Sequence, residues 1–334
     1  MTFPDRHLGA ARLTPVGLGC MNLNHVYRPL PTHQDAAALL NAAFEGGVRH
    51  FDTAALYGFG ANEELVGEVL ADRRAELFLA SKCGMTGVDG KRVIDGRPET
   101  LKATAQEALR RLRTDHIDLY YLHRMDPNVP IEESVGALAD LVADGLIGGI
   151  GLSEVSAATV RRAHATHPIT AVQSEYSLWT RNPELGTLAV TAELGIALVA
   201  FSPLARGVLT DTPPVVADLP RGDLRVGMPR FAEPAYAQNL ALRDQVAQLA
   251  EEAGVTTAQL ALSWVLAQGD HVHVIPGTRS RDHMAENMAT ASVTVPPELL
   301  RRAGEILNAN TVNGSRYAPA AASDSDSEAF PLAG

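Results

Sequence analysis

Eight short apolar runs, each followed by a stretch with helical spacing, constrain this chain more than any other feature of it. The runs are Val16–Met21, Val48–Asp52, Leu77–Cys83, Ile117–His123, Ile147–Leu152, Ala171–Glu175, Ile196–Phe201 and Val272–Pro276. After the third run, Leu101, Ala105, Ala108, Leu109 and Leu112 recur on one helical face. After the fourth, Ile131, Val135, Leu138, Ala139 and Val142 do the same, and Asp144-Gly145 ends the pattern. Strict strand–helix alternation implies right-handed crossovers and a parallel sheet with helices outside. An open doubly wound sheet that holds a dinucleotide carries G-x-G-x-x-G after its first strand. Here Gly17 and Gly19 run instead into Cys20-Met21-Asn22. The expected fold is therefore α/β, a closed (β/α)8 TIM barrel. It is expected to occupy residues 1–310 as a single domain, followed by a flexible tail over 311–334.

The rhythm breaks once. Between Phe201 and Tyr236 lies a long segment rich in Pro, Gly and Asp. Long loops in compact domains are usually functional, and a barrel builds its active site from the loops that follow its strands. A long lid after strand 7, over residues 204–236, is expected. The tail carries Ala-Pro-Ala-Ala-Ala-Ser-Asp-Ser-Asp-Ser, a composition without core-forming residues. Phe330-Pro331-Leu332 offers an anchor for its end.

The 334 residues are 46% hydrophobic and 20% charged, with a net charge of −11, which argues against nucleic acid or an anionic membrane surface as partner. No apolar run reaches the length of a membrane span, and the first residues lack a signal-peptide core. The two cysteines, Cys20 and Cys83, lie in or beside apolar runs and read as buried free thiols. A cytoplasmic enzyme with a small-molecule substrate fits these features.

Polar residues at the C-terminal ends of barrel strands are where chemistry is expected. Asp52 ends the second run, Lys82 lies near the end of the third, and His123 ends the fourth; Tyr57 follows Asp52 by five residues. Taken singly, Asp52 reads as well as a helix cap, Lys82 as an ion-pair partner, Tyr57 as a packing aromatic and His123 as a core histidine. Together, at successive strand ends, they suit carbonyl reduction. Negative charge develops on the carbonyl oxygen when hydride reaches the carbon, and a donor must hold and protonate that oxygen. A phenol with a pKa near 10 is a weak acid at neutral pH, and a neighbouring Lys82 cation would lower its pKa. Asp52 would keep Lys82 charged, and His123 would donate to the oxygen or join the proton relay.

These segments resemble the aldo-keto reductase superfamily from Leu8 to Asn310. The likeness is carried by Asp52-Thr53-Ala54 to Tyr57-Gly58, Ser81-Lys82, Leu122-His123-Arg124, and Ile275-Pro276-Gly277-Thr278 before Glu286-Asn287. Residues 151–156 and 173–179 are similar to its bacterial and plant branch of pyridoxal-reductase-like and auxin-induced-protein-like members. The resemblance implies Asp52, Tyr57, Lys82 and His123 as catalytic residues, with Tyr57 as general acid, and an extended NADPH or NADP+ across the barrel mouth. By the same carry-over, Ser153, Gln173 and Glu154 face the nicotinamide carboxamide, although Glu154 stands where many members have Asn. Phe201 stacks on the nicotinamide ring. Ser202, Leu204, Arg206 and Gly207 line the pyrophosphate. Gly277, Thr278, Arg279 and His283 surround the 2′-phosphate, and Glu286 and Asn287 hold the adenine. Gly277 and His283 replace a Lys and an Arg common in the family, so the preference for NADPH over NADH rests on Arg279. Arg225-Val226 replaces a doubled Arg in the lid. Cys20, Met21 and Arg124 are expected to line the substrate pocket, for small aromatic or sugar-like carbonyl compounds or pyridoxal. Some members of the superfamily, the potassium-channel β-subunits, keep barrel and cofactor while serving a partner protein, and that is the alternative reading.

Overall fold

The computed structural model describes residues 2–88 and 90–330. Eight parallel strands form one sheet in sequence order: β1 (Leu18–Gly19), β2 (His50–Asp52), β3 (Phe78–Cys83), β4 (Leu119–Leu122), β5 (Ile150–Ser153), β6 (Ile169–Glu175), β7 (Ala197–Phe201) and β8 (Val272–Ile275). Each lies within or across one of the eight apolar runs. The sheet closes through a parallel bridge between Val16 and Val274, where Gly17 N donates to Val274 O at 2.9 Å and Val274 N to Pro15 O at 2.8 Å. The fold is the expected (β/α)8 barrel.

Helices fill the intervals: α1 (His33–Glu45), α2 (Ala61–Leu70), α3 (Pro98–Leu112), α4 (Ile131–Ala143), α5 (Ala157–Thr166), α6 (Thr187–Leu194), α7 (Ala235–Ala253), α8 (Thr257–Leu266), α9 (Arg281–Ala289) and α10 (Pro297–Ile306). Their starts are written locally. Thr32 caps α1 by accepting from Asp35 N, Thr256 and Gln259 form a capping box on α8, and Ser280 caps α9 by accepting from His283 N. Among the described residues no helix is long and apolar enough to cross a membrane.

Strand alternation divides the apolar side chains into two layers. Phe78 and Ala80 on β3, Leu119 and Tyr121 on β4, Ala171 on β6, and Ala197 and Val199 on β7 fill the barrel interior. The residues between them, such as Leu79, Tyr120, Val172 and Leu198, pack outward against the helices. An N-terminal hairpin, Arg6–Leu8 with Ala11–Leu13, plugs the bottom: Leu8 joins the interior layer, and Arg6 donates to Gly269 O and Leu266 O at 2.8 and 3.0 Å. This hairpin, and a second one of Met85–Val88 with Lys91–Ile94 after β3, lie outside the eight-unit reading of the sequence.

The segment after β7 runs through short helical turns at Val216–Asp218, Leu224–Gly227 and Pro229–Phe231 before α7 begins at Ala235. It reaches the loop after β1: Leu224 N donates to Val26 O, and Arg28 N to Asp223 Oδ2, both at 3.0 Å. The lid thus spans the barrel mouth.

Residues 311–330, part of the segment expected as a flexible tail, are bonded to the barrel. Arg316 pairs with Glu154 at 2.6 Å and with Glu175 at 3.0 Å, beneath the mouth rim. Further on, Asp326 Oδ2 accepts from Ser156 N at 2.9 Å, and Glu328 Oε1 accepts from Ala157 N at 2.7 Å, both at the start of α5. A polar segment without a core of its own is ordered here by carboxylates and a guanidinium that find partners on the barrel. Of the Phe330-Pro331-Leu332 anchor, Pro331 and Leu332 lie outside the described residues.

Candidate active site

The inward rows of the barrel strands change character at their C-terminal ends. Phe78 and Ala80 lead to Lys82, Leu119 and Tyr121 to His123, Ala171 to Gln173, and Val199 to Phe201. Period-two geometry therefore delivers the polar groups onto one floor.

Lys82 is wholly buried, and its Nζ is bonded to Asp52 Oδ1 and to Thr53 O, the latter at 2.8 Å. Burial disfavours the ammonium, but Asp52 and Tyr57 outweigh it and raise its pKa, so Lys82 is charged. Gln173 Nε2 donates to the other oxygen of Asp52 at 2.7 Å. Tyr57 enters from the loop after β2, at the head of a tight turn. There Gly58 (φ 59°), Phe59 (φ 57°) and Gly60 (φ 97°) take left-handed backbone, and the two glycines do so without a Cβ clash. The Lys82 ammonium lies 5.1 Å from the centroid of the Tyr57 ring, His25 stacks on that ring at 5.8 Å, and His123 meets it edge-on at 5.8 Å.

The phenol does not behave as sequence reasoning expected. Burial raises the Tyr57 pKa, and the opposing pull of Lys82 is the smaller effect, so the net direction is upward. Tyr57 is stored as a neutral phenol, a proton source. Burial, together with Arg124 and Lys82, pushes His123 well below the usual imidazole range, and its ring is neutral.

This floor opens into a cavity of about 790 Å³ that extends along the mouth to α9. Tyr57, His123, Asp52, Ser153, Gln173, Phe201, Ser202, Leu204, Arg206 and Gly207 line it. So do Gly277, Thr278, Arg279, His283, Glu286 and Asn287 at the far end, with Met21 and Arg124 beside the tetrad. Three expected residues do not line it: Lys82, wholly buried beside the Tyr57 ring, together with Cys20 and Glu154. Cys20 faces the barrel–helix layer between cavity-lining Gly19 and Met21, its Sγ directed at Leu18 O at 3.7 Å. Glu154, with φ of 56°, turns its carboxylate away to the tail: Arg316 pairs with it, and Glu175 N donates to its Oε1 at 2.8 Å. Arg206 lines the cavity, but its guanidinium pairs with Glu175 at 2.8 Å and donates to Tyr317 Oη at 2.8 Å. Arg124 meets neither Asp126 nor Glu175; its Nη1 donates to His123 O at 2.6 Å and Ser153 Oγ at 3.1 Å.

His25, Leu56, Met85, Arg92, Tyr317 and Asp324 line the same cavity without belonging to the motifs above. His25 and Leu56 sit in loops that follow barrel strands, so position alone was a signal for them. Arg92, Tyr317 and Asp324 come from the second hairpin and the tail, and only the tertiary fold brings them here.

Several features fit an extended nucleotide. Ser202 (φ 49°), Ala205 (φ 49°) and Arg206 (φ 58°) hold left-handed backbone without being glycine, a strain that clusters at ligand sites. Arg279 lies on the wall with no carboxylate partner among the described residues, close to the N-terminus of α9. Asn287 Oδ1 is buried and has no hydrogen-bond partner, an acceptor waiting for a donor.

A (β/α)8 barrel whose mouth sets a buried Lys–Asp pair, a tyrosine and a histidine at one end of a cavity that reaches α9 offers the groups that acid–base chemistry needs. The sequence profile of the aldo/keto reductase family matches residues 15–308, and the chain belongs to that family, whose activity is NAD(P)H-dependent carbonyl reduction. It is similar to the glycerol dehydrogenase AKR11B4 from Gluconobacter oxydans, at 28% identity over 95% of this chain and 98% of that one, with a TM-score of 0.83. It is also similar to the holo form of aldo-keto reductase AKR11C1 from Bacillus halodurans, at 27% identity over 95% and 99%, TM-score 0.77. An aldo-keto reductase from Klebsiella pneumoniae, solved with NADPH, shares the fold at 23% identity over 95% and 99%, TM-score 0.72.

Proposed function

We propose that the protein reduces a small aldehyde or ketone to the alcohol with NADPH, and that Tyr57 supplies the proton. The observation that carries this reading is geometric: the Tyr57 ring lies against Lys82, which Asp52 holds, and against His123, on the floor of a cavity of about 790 Å³ that is lined as far as α9. A reduced nicotinamide, when bound, supplies the hydride to the carbonyl carbon. Phe201 would offer its ring to it, with Ser153 and Gln173 at the carboxamide. The loop from Ser202 to Gly207 would follow the pyrophosphate. Gly277, Thr278, Arg279 and His283 would take the 2′-phosphate, and Glu286 and Asn287 the adenine. Arg279 supplies the cation that favours NADPH over NADH.

Tyr57 and His123 donate to the carbonyl oxygen as charge grows on it. The Tyr57 hydroxyl proton leaves with the alcohol, and the phenolate left behind is held by Lys82 until it takes a proton from solvent. Asp52 keeps Lys82 cationic throughout, and Gln173 fixes the second oxygen of Asp52. His123 serves as a donor rather than a charged acid, since its ring is neutral.

The likeness to a glycerol dehydrogenase supports sugar-like carbonyl compounds as candidates, and the pyridoxal-reductase-like segments at 151–156 and 173–179 support pyridoxal. Two buried free thiols, Cys20 and Cys83, support the cytoplasmic setting.

The test is NADPH oxidation with para-nitrobenzaldehyde by the wild type and Tyr57→Phe. Wild-type turnover should fall about 10²–10⁴-fold in the variant, the usual worth of a general acid, while NADPH binding persists. NADPH binding without turnover across a broad carbonyl panel would favour a regulatory module of the channel-subunit kind. No NADPH binding would overturn the cofactor assignment.

A further inference from the structure

Of the guanidiniums on the cavity wall, Arg124 and Arg92 act on His123 and take no part in the reaction above. Arg124 follows His123, and its Nη1 is spent on His123 O and Ser153 Oγ. Among the described residues no carboxylate pairs with it. Arg92 comes from the hairpin strand Lys91–Ile94 and is ion-paired with Asp324 of the tail. Arg92 and Asp324 line the same cavity as Tyr57. Met21, Leu56 and Met85 contribute an apolar wall to that cavity.

Asp324 is held from both sides. Before it, Arg316 and Tyr317 are tied to Glu175, with Arg316 also on Glu154. After it, Asp326 and Glu328 are bonded to the start of α5. The carboxylate therefore sits at a fixed place against Arg92. Its partner is half-exposed, with 48% of the Arg92 side chain open to solvent and 22% of Asp324. An ion pair of that exposure is weak and readily exchanged for another carboxylate.

We propose that Arg92, with Arg124, forms a carboxylate subsite for a carbonyl substrate that carries an acid group, and that Asp324 occupies that subsite in this structure as the substrate's stand-in. The proposal rests on the reductase reading of the same site. It narrows the substrate to a molecule with a carbonyl at the tetrad, an apolar or ring body along Met21, Leu56 and Met85, and a carboxylate at the rim. In a chain of net charge −11, such a substrate needs a local cationic pair to be accepted at all. Both guanidiniums also act on His123, where each adds to the effect of burial in keeping the ring neutral, so both are electrostatically near the reacting end. The exchange is competitive: a substrate carboxylate on Arg92 displaces Asp324, while the anchors at Arg316, Asp326 and Glu328 keep the strap in place.

The experiment uses the full chain with NADPH and two aldehydes of the same shape, para-carboxybenzaldehyde and its methyl ester. The readout is the ratio of their kcat/KM values. The wild type should favour the acid. Arg92→Gln should lower the acid-to-ester ratio by about tenfold or more, chiefly through the KM of the acid, because a charge-assisted pair is lost to one substrate only. Asp324→Asn, a change on the exposed strap, should raise the ratio by removing the competitor. Equal losses for both aldehydes in Arg92→Gln would overturn the proposal and make Arg92–Asp324 a structural latch. So would a wild type that reduces the ester and rejects the acid, which leaves the reductase reading intact. If Arg92→Gln does not fold, an unchanged ratio in Asp324→Asn overturns it alone. Reduction of neither aldehyde would take down the reductase reading first and this inference with it.

Discussion

Asp52 and Lys82 have almost no contact with solvent, at 2% and 0% side-chain exposure, so each charge is tolerated only because the other faces it. Removing one partner of such a pair is costlier than removing both. Lys82→Met should lose about 3–5 kcal/mol of stability by urea denaturation, while Asp52→Leu/Lys82→Met regains most of it and remains inactive. A double variant no more stable than the single would show that the pair is not coupled in this way. The same residue scale explains which of the expected side chains the barrel gathers at one end. Lys82, His123, Gln173 and Phe201 end inward rows that begin with apolar side chains, so period two and position at a strand end already point to them. It also explains why Cys20 and Glu154 stand off the cavity. Cys20 opens the 3-10 turn Cys20–Leu23 just past β1, and Glu154 follows Ser153 just past β5 in left-handed backbone (φ 56°), so at both places the strand's alternation has already ended. The resemblance brings in Glu154 by its place beside Ser153, and Cys20 is expected by its place beside Met21.

At the scale of elements, the tail shows how order arises without a hydrophobic pattern. Glu154 and Glu175 are buried carboxylates whose pKa values lie below the ordinary range. Burial works against their ionisation, but the surrounding arginines prevail: Arg316 on both, with Arg124 near Glu154 and Arg206 near Glu175. Glu175 keeps Arg206 if the tail is lost, whereas Arg316 is the ion-pair partner of Glu154 among the described residues. Arg316→Met should therefore cost about 3–5 kcal/mol, and adding Glu154→Gln should restore part of it, a coupling that a double-mutant cycle in urea would read. Additive losses would mean that Arg316 acts by packing. The composition of residues 311–330 gave no hint of this, because the partners that order the segment are about 140 to 170 residues away. The helices were readable for the opposite reason. Their faces and caps, such as Thr256 with Gln259 on α8, are local in sequence.

At the scale of the whole molecule, the closed barrel buries His50 and His273, neither of which lines the cavity. His50 and His273 are neutral in the fold, with pKa values pushed down to about 3 chiefly by burial. The unfolded chain takes up a proton at each near pH 6.5, and the folded chain does so only near 3. Stability is therefore fully present above about pH 6.5 and is lost as the pH falls, because the unfolded state binds more protons. Between about pH 7 and pH 5 each histidine should remove about 2 kcal/mol, visible as a falling urea midpoint. His50→Leu should lose one histidine's share of that slope, whatever it does at pH 7. An unchanged slope would mean that His50 titrates normally in the fold.

What this sequence determined by itself was the eightfold alternation, the helix faces and caps, and the ends of the inward rows. Each depends on residues a few positions apart, whose side-chain direction follows from the backbone period. What only the tertiary structure decided was the ceiling of the site. The bridge from the lid to Val26 and Arg28, the placement of Arg92, Tyr317 and Asp324 on one cavity, and the turning of Glu154 toward Arg316 depend on segments that closure of the barrel brings together. Their interactions are charges and hydrogen bonds between distant polar residues, which carry no periodic signal along the chain.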